Sequence, residues 1–126
     1  MSRTHRRTAI LAAAPFALAL AATAAFAHAQ LMKASPAVGG AVKASPTEIR
    51  LKFTEGLEPR FSGIVLTGES GAAVPIGKAN VEPGDASTFV APISHPLKPG
   101  AYTVTWHAVS VDTHKTQGSY QFTVEP

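Results

Sequence analysis

The sequence contains no cysteine among its 126 residues. Disulfides therefore cannot stabilise the fold, and the hydrophobic core has to be sufficient by itself. Thiolate metal sites and thiol catalysis are excluded for the same reason. Any transition metal that this chain binds must use imidazole, carboxylate, thioether or backbone nitrogen as ligands.

The first 27 residues differ in composition from the rest of the chain. Arg3, Arg6 and Arg7 lie in a polar start, an apolar run follows over about 9–22, and small residues end in the A-x-A motif of residues 25–27. This order is typical of a secretory signal peptide, and the apolar run is shorter than the roughly 20 residues of a membrane span. We predict a signal peptide over 1–27 and one mature domain over 28–126, in the periplasm or elsewhere outside the cytoplasm.

Two points about export stay open. Residues 27–29 also read A-x-A, so that cleavage after Ala29 competes with cleavage after Ala27. The pair Arg6-Arg7 resembles a twin-arginine signal, although the residues that follow it match that signal poorly, so either export route is compatible with the sequence.

The mature part lacks an excess of charge of either sign. Of the 11 basic residues, three lie in the signal peptide, which leaves 11 − 3 = 8 against eight acidic residues, all of them after residue 27. No electrostatic footprint for nucleic acid remains, and we expect a monomer that binds no nucleic acid.

A sustained helical period is also missing after residue 28, whereas alternation of apolar and polar residues is frequent. Strands are predicted over 49–54, 61–66, 87–92, 102–109 and 119–124, with Gly118 opening the last one, and shorter candidates lie at 31–34 and 74–81. Turn signals rich in glycine and proline separate them. The pattern predicts an all-β domain, a β-sandwich or small Greek-key barrel of about seven strands.

Four histidines remain in the mature part, and two of them have ordinary explanations. His95 lies in a turn-rich loop, where a solvated imidazole is expected. His107 follows Trp106 on a strand, so if Trp106 points into the core, His107 points the other way. Neither position predicts a metal ligand by itself.

His114 is more informative because Asp112 stands two positions before it, on the connection between the last two long strands. In an extended segment, residues i and i+2 point the same way, so both side chains can converge on one ion. An isolated Asp-x-His is weak evidence, because aspartate favours turns for local reasons.

The sharpest feature is His28. Cleavage after Ala27 gives this residue a free α-amine beside its imidazole, and the reference pKa values of about 7.7–8.0 and 6.5 allow a metal to displace the remaining proton near neutral pH. Two nitrogens from His28, one from His114 and one oxygen from Asp112 form a set that suits tetragonal Cu(II). Zinc would prefer a tetrahedral arrangement of such ligands.

These residues resemble the CopC-like periplasmic copper-binding proteins, a copper resistance family, over nearly the whole mature chain. The matching blocks lie at 28–31, 35–37, 49–55, 96–106, 109–114 and 118–124. The resemblance implies a Greek-key β-sandwich of immunoglobulin-like shape and a Cu(II) site made by His28, Asp112 and His114. Glu55 matches an acidic position near the copper of some members, and a solvated turn carboxylate is an equal alternative for it.

The resemblance also implies the chain's role and partner. Members sequester or deliver copper, often with a membrane copper-transport protein, and both copper import and detoxification are compatible with the residues. Some members add a Cu(I) site rich in methionine, but residues 66–81 contain no methionine here. Met32, the single methionine after the signal peptide, is expected to pack in a strand, so we predict the Cu(II) site alone.

Two other classes of function stay open. A copper monooxygenase also uses an N-terminal histidine chelate, but Asp112 would occupy a coordination position and favour Cu(II). The residues Tyr102, Trp106 and Tyr120 fall on core-facing positions, which leaves no obvious aromatic platform for a sugar. We therefore do not expect an enzyme. The third class is a metal-free structural β-sandwich, since fold does not determine function.

Overall fold

The computed structural model describes residues 29–126, and the predicted signal peptide and His28 lie outside them. This part of the chain contains nine strands and one short 3₁₀ turn, Pro59–Phe61. The strands are β1 (Leu31–Ser35), β2 (Ala41–Val42), β3 (Glu48–Phe53), β4 (Gly63–Thr67), β5 (Ala73–Val74), β6 (Asn80–Glu82), β7 (Asp85–Pro92), β8 (Gly100–Val109) and β9 (Lys115–Val124).

The strands form two sheets. One has the order β1-β3-β7-β6 and the other the order β2-β9-β8-β4-β5. The chain crosses repeatedly between them, for example from β3 in the first sheet to β4 in the second. The predicted all-β sandwich is confirmed, with two of the nine strands only two residues long. None of residues 29–126 belongs to a helix long and apolar enough to cross a membrane.

The core lies between the sheets because the long strands alternate. In β3, Ile49, Leu51 and Phe53 are buried, while the residues between them are only half-buried. The ring of Phe53 meets Trp106 of β8 edge to face, with ring centres 5.0 Å apart. This contact joins the two sheets, and edge-to-face geometry adds to the hydrophobic gain of burying both rings.

The pairing of β8 with β9 corrects one predicted boundary. The last strand begins at Lys115, three residues before the predicted start at Gly118. Gly118 lies inside the strand, opposite Trp106, and a Cβ atom there would come within 2.6 Å of the indole ring. Glycine is therefore needed for close approach of the ring and does not mark the end of a turn.

Three further expectations need correction. Phe61 does not start a strand but ends the 3₁₀ turn, and β4 begins at Gly63. The candidate strand over 74–81 is two short strands, β5 and β6, with an irregular segment between them. Met32 does not pack in the core: the register of β1 against β3 shifts at this residue, and 67% of its surface is exposed.

Three segments that flank the strands lie together at one end of the sandwich. The loop of residues 110–114 connects β8 to β9, the segment 54–57 follows β3, and residues 29–30 precede β1. Backbone hydrogen bonds join them: Val111 donates to the carbonyl of Gly56, and Thr54 donates to the carbonyl of Gln30. We call this region the loop end.

Candidate metal centre

Ser110 organises the loop between β8 and β9. Its side chain is completely buried, and its hydroxyl donates to the Asp112 carboxylate. The same oxygen accepts a hydrogen bond from the backbone N–H of His114 at 3.2 Å. The Ser110 N–H donates to the carbonyl of His114, and the Thr113 N–H donates to the carbonyl of Ser110. A buried hydroxyl satisfied in this way fixes the conformation of the loop.

The loop brings the two predicted ligands together. Nδ1 of His114 lies 3.1 Å from Oδ2 of Asp112. The hydrogen bond from Ser110 holds the pKa of Asp112 below its usual value, and His114 lowers the pKa further, so the carboxylate is charged near neutral pH. The loop thus places an anionic oxygen in contact with an imidazole nitrogen, and both are ligand types that Cu(II) and Zn(II) accept.

The convergence has a different cause from the one predicted. Residues 111–113 form a turn rather than an extended segment, and Thr113 has a φ of 73°. Positive φ is uncommon for threonine, so the tight turn is held by the surrounding hydrogen bonds. The two side chains meet because the chain reverses between them.

The first residues of the described chain are anchored to both sheets beside this loop. Ala29 is completely buried, and its carbonyl accepts a hydrogen bond of 2.8 Å from the hydroxyl of Thr116 in β9. Gln30 exchanges two hydrogen bonds with Thr54, one from the Gln30 N–H to the Thr54 hydroxyl and one from the Thr54 N–H to the Gln30 carbonyl. The backbone of Ala29 is therefore attached to β9 at Thr116, two residues after His114.

The other candidate residues that the structure describes form no three-residue cluster with this pair. His95 is exposed in the loop before β8, and His107 is exposed on the outer face of β8, as predicted. Glu55 is half-buried after β3, next to Gly56. Between residues 29 and 126, no group of three histidine, aspartate or glutamate side chains converges enough to hold a metal ion. A metal ion held by Asp112 and His114 would therefore need further ligands.

Sequence reasoning missed the residues that build this site. Ser110 shares the inward parity of Trp106 and Ala108, and a hydroxyl at a core position needs a partner, which was a usable signal. Thr116 shares the inward parity of Tyr120 in the same way. Thr54 carries no such signal, because its contact with Gln30 continues the pairing of β1 with β3, which are far apart in sequence.

The comparisons with known proteins agree with the β-sandwich fold. A family model described as the CopC domain matches residues 31–125. "Protein YobA" of Escherichia coli strain K12 is 43% identical over 100 residues, which are 79% of this chain and 81% of that protein. "Copper resistance protein C" of Escherichia coli is 41% identical over 108 residues, 80% of this chain and 84% of the relative.

A longer relative and a solved structure complete the comparison. The chain is 27% identical to "Copper transport protein CutJ" of Bacillus subtilis strain 168, over 79% of this chain but only 18% of that protein. The crystal structure of CopC from Methylosinus trichosporium OB3b superposes with a TM-score of 0.74 at 32% identity, covering 79% of this chain and 95% of that one. By domain match, sequence and fold, the chain belongs to the CopC family, which consists of copper-binding proteins and not of enzymes.

Proposed function

We propose that this chain is exported, that its mature form begins at His28, and that it binds one Cu(II) ion outside the cytoplasm. The ligands are the α-amine and imidazole of His28, the imidazole of His114 and the carboxylate of Asp112. The protein then sequesters the ion or passes it to a membrane copper-transport protein. CutJ supports such a partner, because there a domain similar to this chain belongs to a much longer copper transport protein.

The anchoring of Ala29 is the observation on which the proposal rests most. The Ala29 carbonyl is bonded to Thr116, two residues after His114. Because a covalent bond joins position 28 to this anchored residue, we infer that an N-terminal histidine there supplies its amine and imidazole to Asp112 and His114.

The same anchor favours cleavage after Ala27 over cleavage after Ala29. Cleavage after Ala29 would remove a residue whose surface is 0% exposed, together with its hydrogen bond from Thr116. The mature protein would lose both a part of its core and the chelating histidine. Cleavage after Ala27 keeps both.

The donor set also favours Cu(II) over other ions. Three nitrogens and one carboxylate oxygen suit a tetragonal ion, and Cu(II) stands at the top of the affinity order for divalent metals. Because the amine must lose its proton before it binds, copper uptake by a free N-terminus releases protons near neutral pH.

Intact-mass analysis of the exported protein, with and without one equivalent of Cu(II), tests this proposal. We expect a mass that corresponds to residues 28–126 and the gain of one copper ion. If a mature form that begins at Gln30 bound one Cu(II) ion as tightly as the form that begins at His28, the proposed ligands would be wrong.

A further inference from the structure

The outer face of the five-stranded sheet exposes apolar side chains beside the loop end. Phe61, at the end of the 3₁₀ turn, is 65% exposed, and Val65 of β4 is 49% exposed. Monomeric proteins expose single hydrophobic residues routinely, so each of them alone has no significance. The surface that the two residues share is significant, because their side chains line two shallow depressions that adjoin each other.

The larger depression has a volume of about 760 Å³ and is lined by Phe61, His107 and Val109 on one side and by Thr113, Lys115 and Thr116 on the other. A second one, of about 410 Å³, contains Val65 and continues from the first through His107 and Gln117. We call this continuous surface the outer trough. Its floor is the pleated face of β8 and β9.

A glycine keeps the trough open in its middle. Gly63 of β4 pairs with His107 of β8, and a Cβ atom on Gly63 would lie 2.5 Å from the imidazole. The His107 ring therefore lies against the backbone of the neighbouring strand. An alanine at position 63 would push the ring outward.

The trough has a distinct charge. Lys115 lines it, and among the described residues no carboxylate lines either depression. The surface is thus largely apolar, with one cationic side chain, Lys115. A complementary partner presents an apolar side chain flanked by carboxylates.

The trough also reaches the candidate metal centre. Thr113, which lines the trough, lies between Asp112 and His114. A protein bound in the trough would touch the loop on which the copper ligands lie. Interfaces that combine an exposed aromatic anchor with a polar rim are typical of specific protein contacts.

We propose that the outer trough is the docking surface for an acidic, apolar segment of the protein that exchanges copper with this chain. The inference rests on the proposed function for the partner's identity, but the surface and its charge preference follow from the trough itself. A second copy of the chain fits less well, because a symmetric contact would bring the Lys115 side chains of the two copies together.

Site-specific photo-crosslinking tests the surface. The full chain is produced in its own cells with p-benzoylphenylalanine at position 61, or, as a matched control, at position 38, where Val38 is 63% exposed near the other end of β9. We expect a crosslink from position 61 to a copper-transport protein, through a peptide with carboxylates beside an apolar residue, and severalfold less from position 38. Crosslinks only to a second copy or to lipid, equal yields from both positions, or no protein crosslink would overturn the proposal.

A charge exchange gives the second arm. Lys115→Glu should lower the crosslink yield severalfold, Lys43→Glu should not, and replacing the identified carboxylate of the partner by lysine should restore the yield with Lys115→Glu. No restoration would overturn the charge assignment. Copper binding by each variant is measured in parallel, which distinguishes a failure of the proposed function from a failure of the docking surface. A chain that binds no copper but still crosslinks contradicts the proposed function, whereas normal copper binding without a crosslink contradicts the docking surface.

Discussion

Two aspartates of this domain are held by hydroxyl groups, and they differ in what neutralises them. Asp85, at the start of β7, accepts hydrogen bonds from the hydroxyls of Ser87 and Thr88 and from the ammonium group of Lys52 at 2.9 Å. Asp112 accepts from the hydroxyl of Ser110 and lies beside the imidazole of His114.

The difference explains why one carboxylate is structural and the other suits a metal. The hydroxyls of Ser87 and Thr88, with Lys52, hold the pKa of Asp85 far below its usual value, and the fixed cation completes the ion pair. Beside Asp112 stands a group that is a metal ligand in its neutral form. Asp112 therefore retains a negative charge that a cation could neutralise, whereas the charge of Asp85 is already balanced by Lys52.

The largest effect is expected when Asp112 loses its charge. Asp112→Asn keeps the size of the side chain but removes the anionic ligand, and we expect copper affinity to fall by more than the roughly 100-fold that loss of a supporting residue can cost. Competition titration with a chromophoric Cu(II) chelator measures it.

Asp85→Asn is the matched control for this variant. It should lower the melting temperature by a few degrees through loss of the ion pair with Lys52 and leave copper affinity unchanged. If both aspartate variants lost copper to the same extent, the distinction between the two carboxylates would be wrong.

A smaller effect is expected at Ser110. Ser110→Ala removes the buried hydroxyl that orients Asp112, so copper affinity should fall about 10–100-fold while the ligands stay in place. The free energy of unfolding should fall by about 1 kcal/mol. Chemical denaturation and copper competition on the same sample check both values, and an unchanged affinity would show that Asp112 needs no support from Ser110.

Thr116 should affect copper affinity less than Ser110 does, because it acts only through its hydrogen bond to Ala29. Thr116→Val keeps the shape of the side chain but loses the hydrogen bond to Ala29, worth about 1 kcal/mol, which corresponds to about fivefold in copper affinity. Thr116→Ser should restore both the affinity and the copper resonance spectrum. A role in packing alone predicts the opposite order, since serine lacks the methyl group that valine keeps.

The smallest effect concerns acid stability without copper. Each carboxylate has a lowered pKa when folded, so its stabilising contribution is complete well above the unfolded value of about 3.9 and is lost as the pH falls toward the folded value. Thermal melts from pH 7 to 3 should show that Asp85→Asn flattens this loss more than Asp112→Asn, because the pKa of Asp85 is lowered further. Identical profiles for the two variants would contradict the comparison.

The sequence predicted the fold well where alternation was regular. Every second residue of two strands faces the core, as the period of two requires. These are Ile49, Leu51 and Phe53 in β3 and the alternate residues from Tyr102 to Ala108 in β8. The start of the last strand was predicted wrongly, because a glycine can have two explanations. Gly118 looked like the start of the strand, but it lies inside the strand and accommodates the ring of Trp106. Local composition cannot distinguish these cases, because the ring comes from another strand.

The candidate site was predictable only in part for a similar reason. Asp112 and His114 are visible as a motif, and their proximity is confirmed by the 3.1 Å contact between them. The turn at Thr113 and the bond from Thr116 to Ala29 depend on segments that are far apart in sequence. Whether His28 completes the site remains a prediction.

Paramagnetic resonance of the copper-loaded protein with three different N-termini tests the central claim most directly. One form begins at His28, one carries an additional glycine before His28, and one begins at Gln30. We predict a tetragonal Cu(II) spectrum with coupling to three nitrogens for the first form only, with much weaker binding by the other two. The same spectrum and affinity for all three forms would contradict an N-terminal chelate at His28.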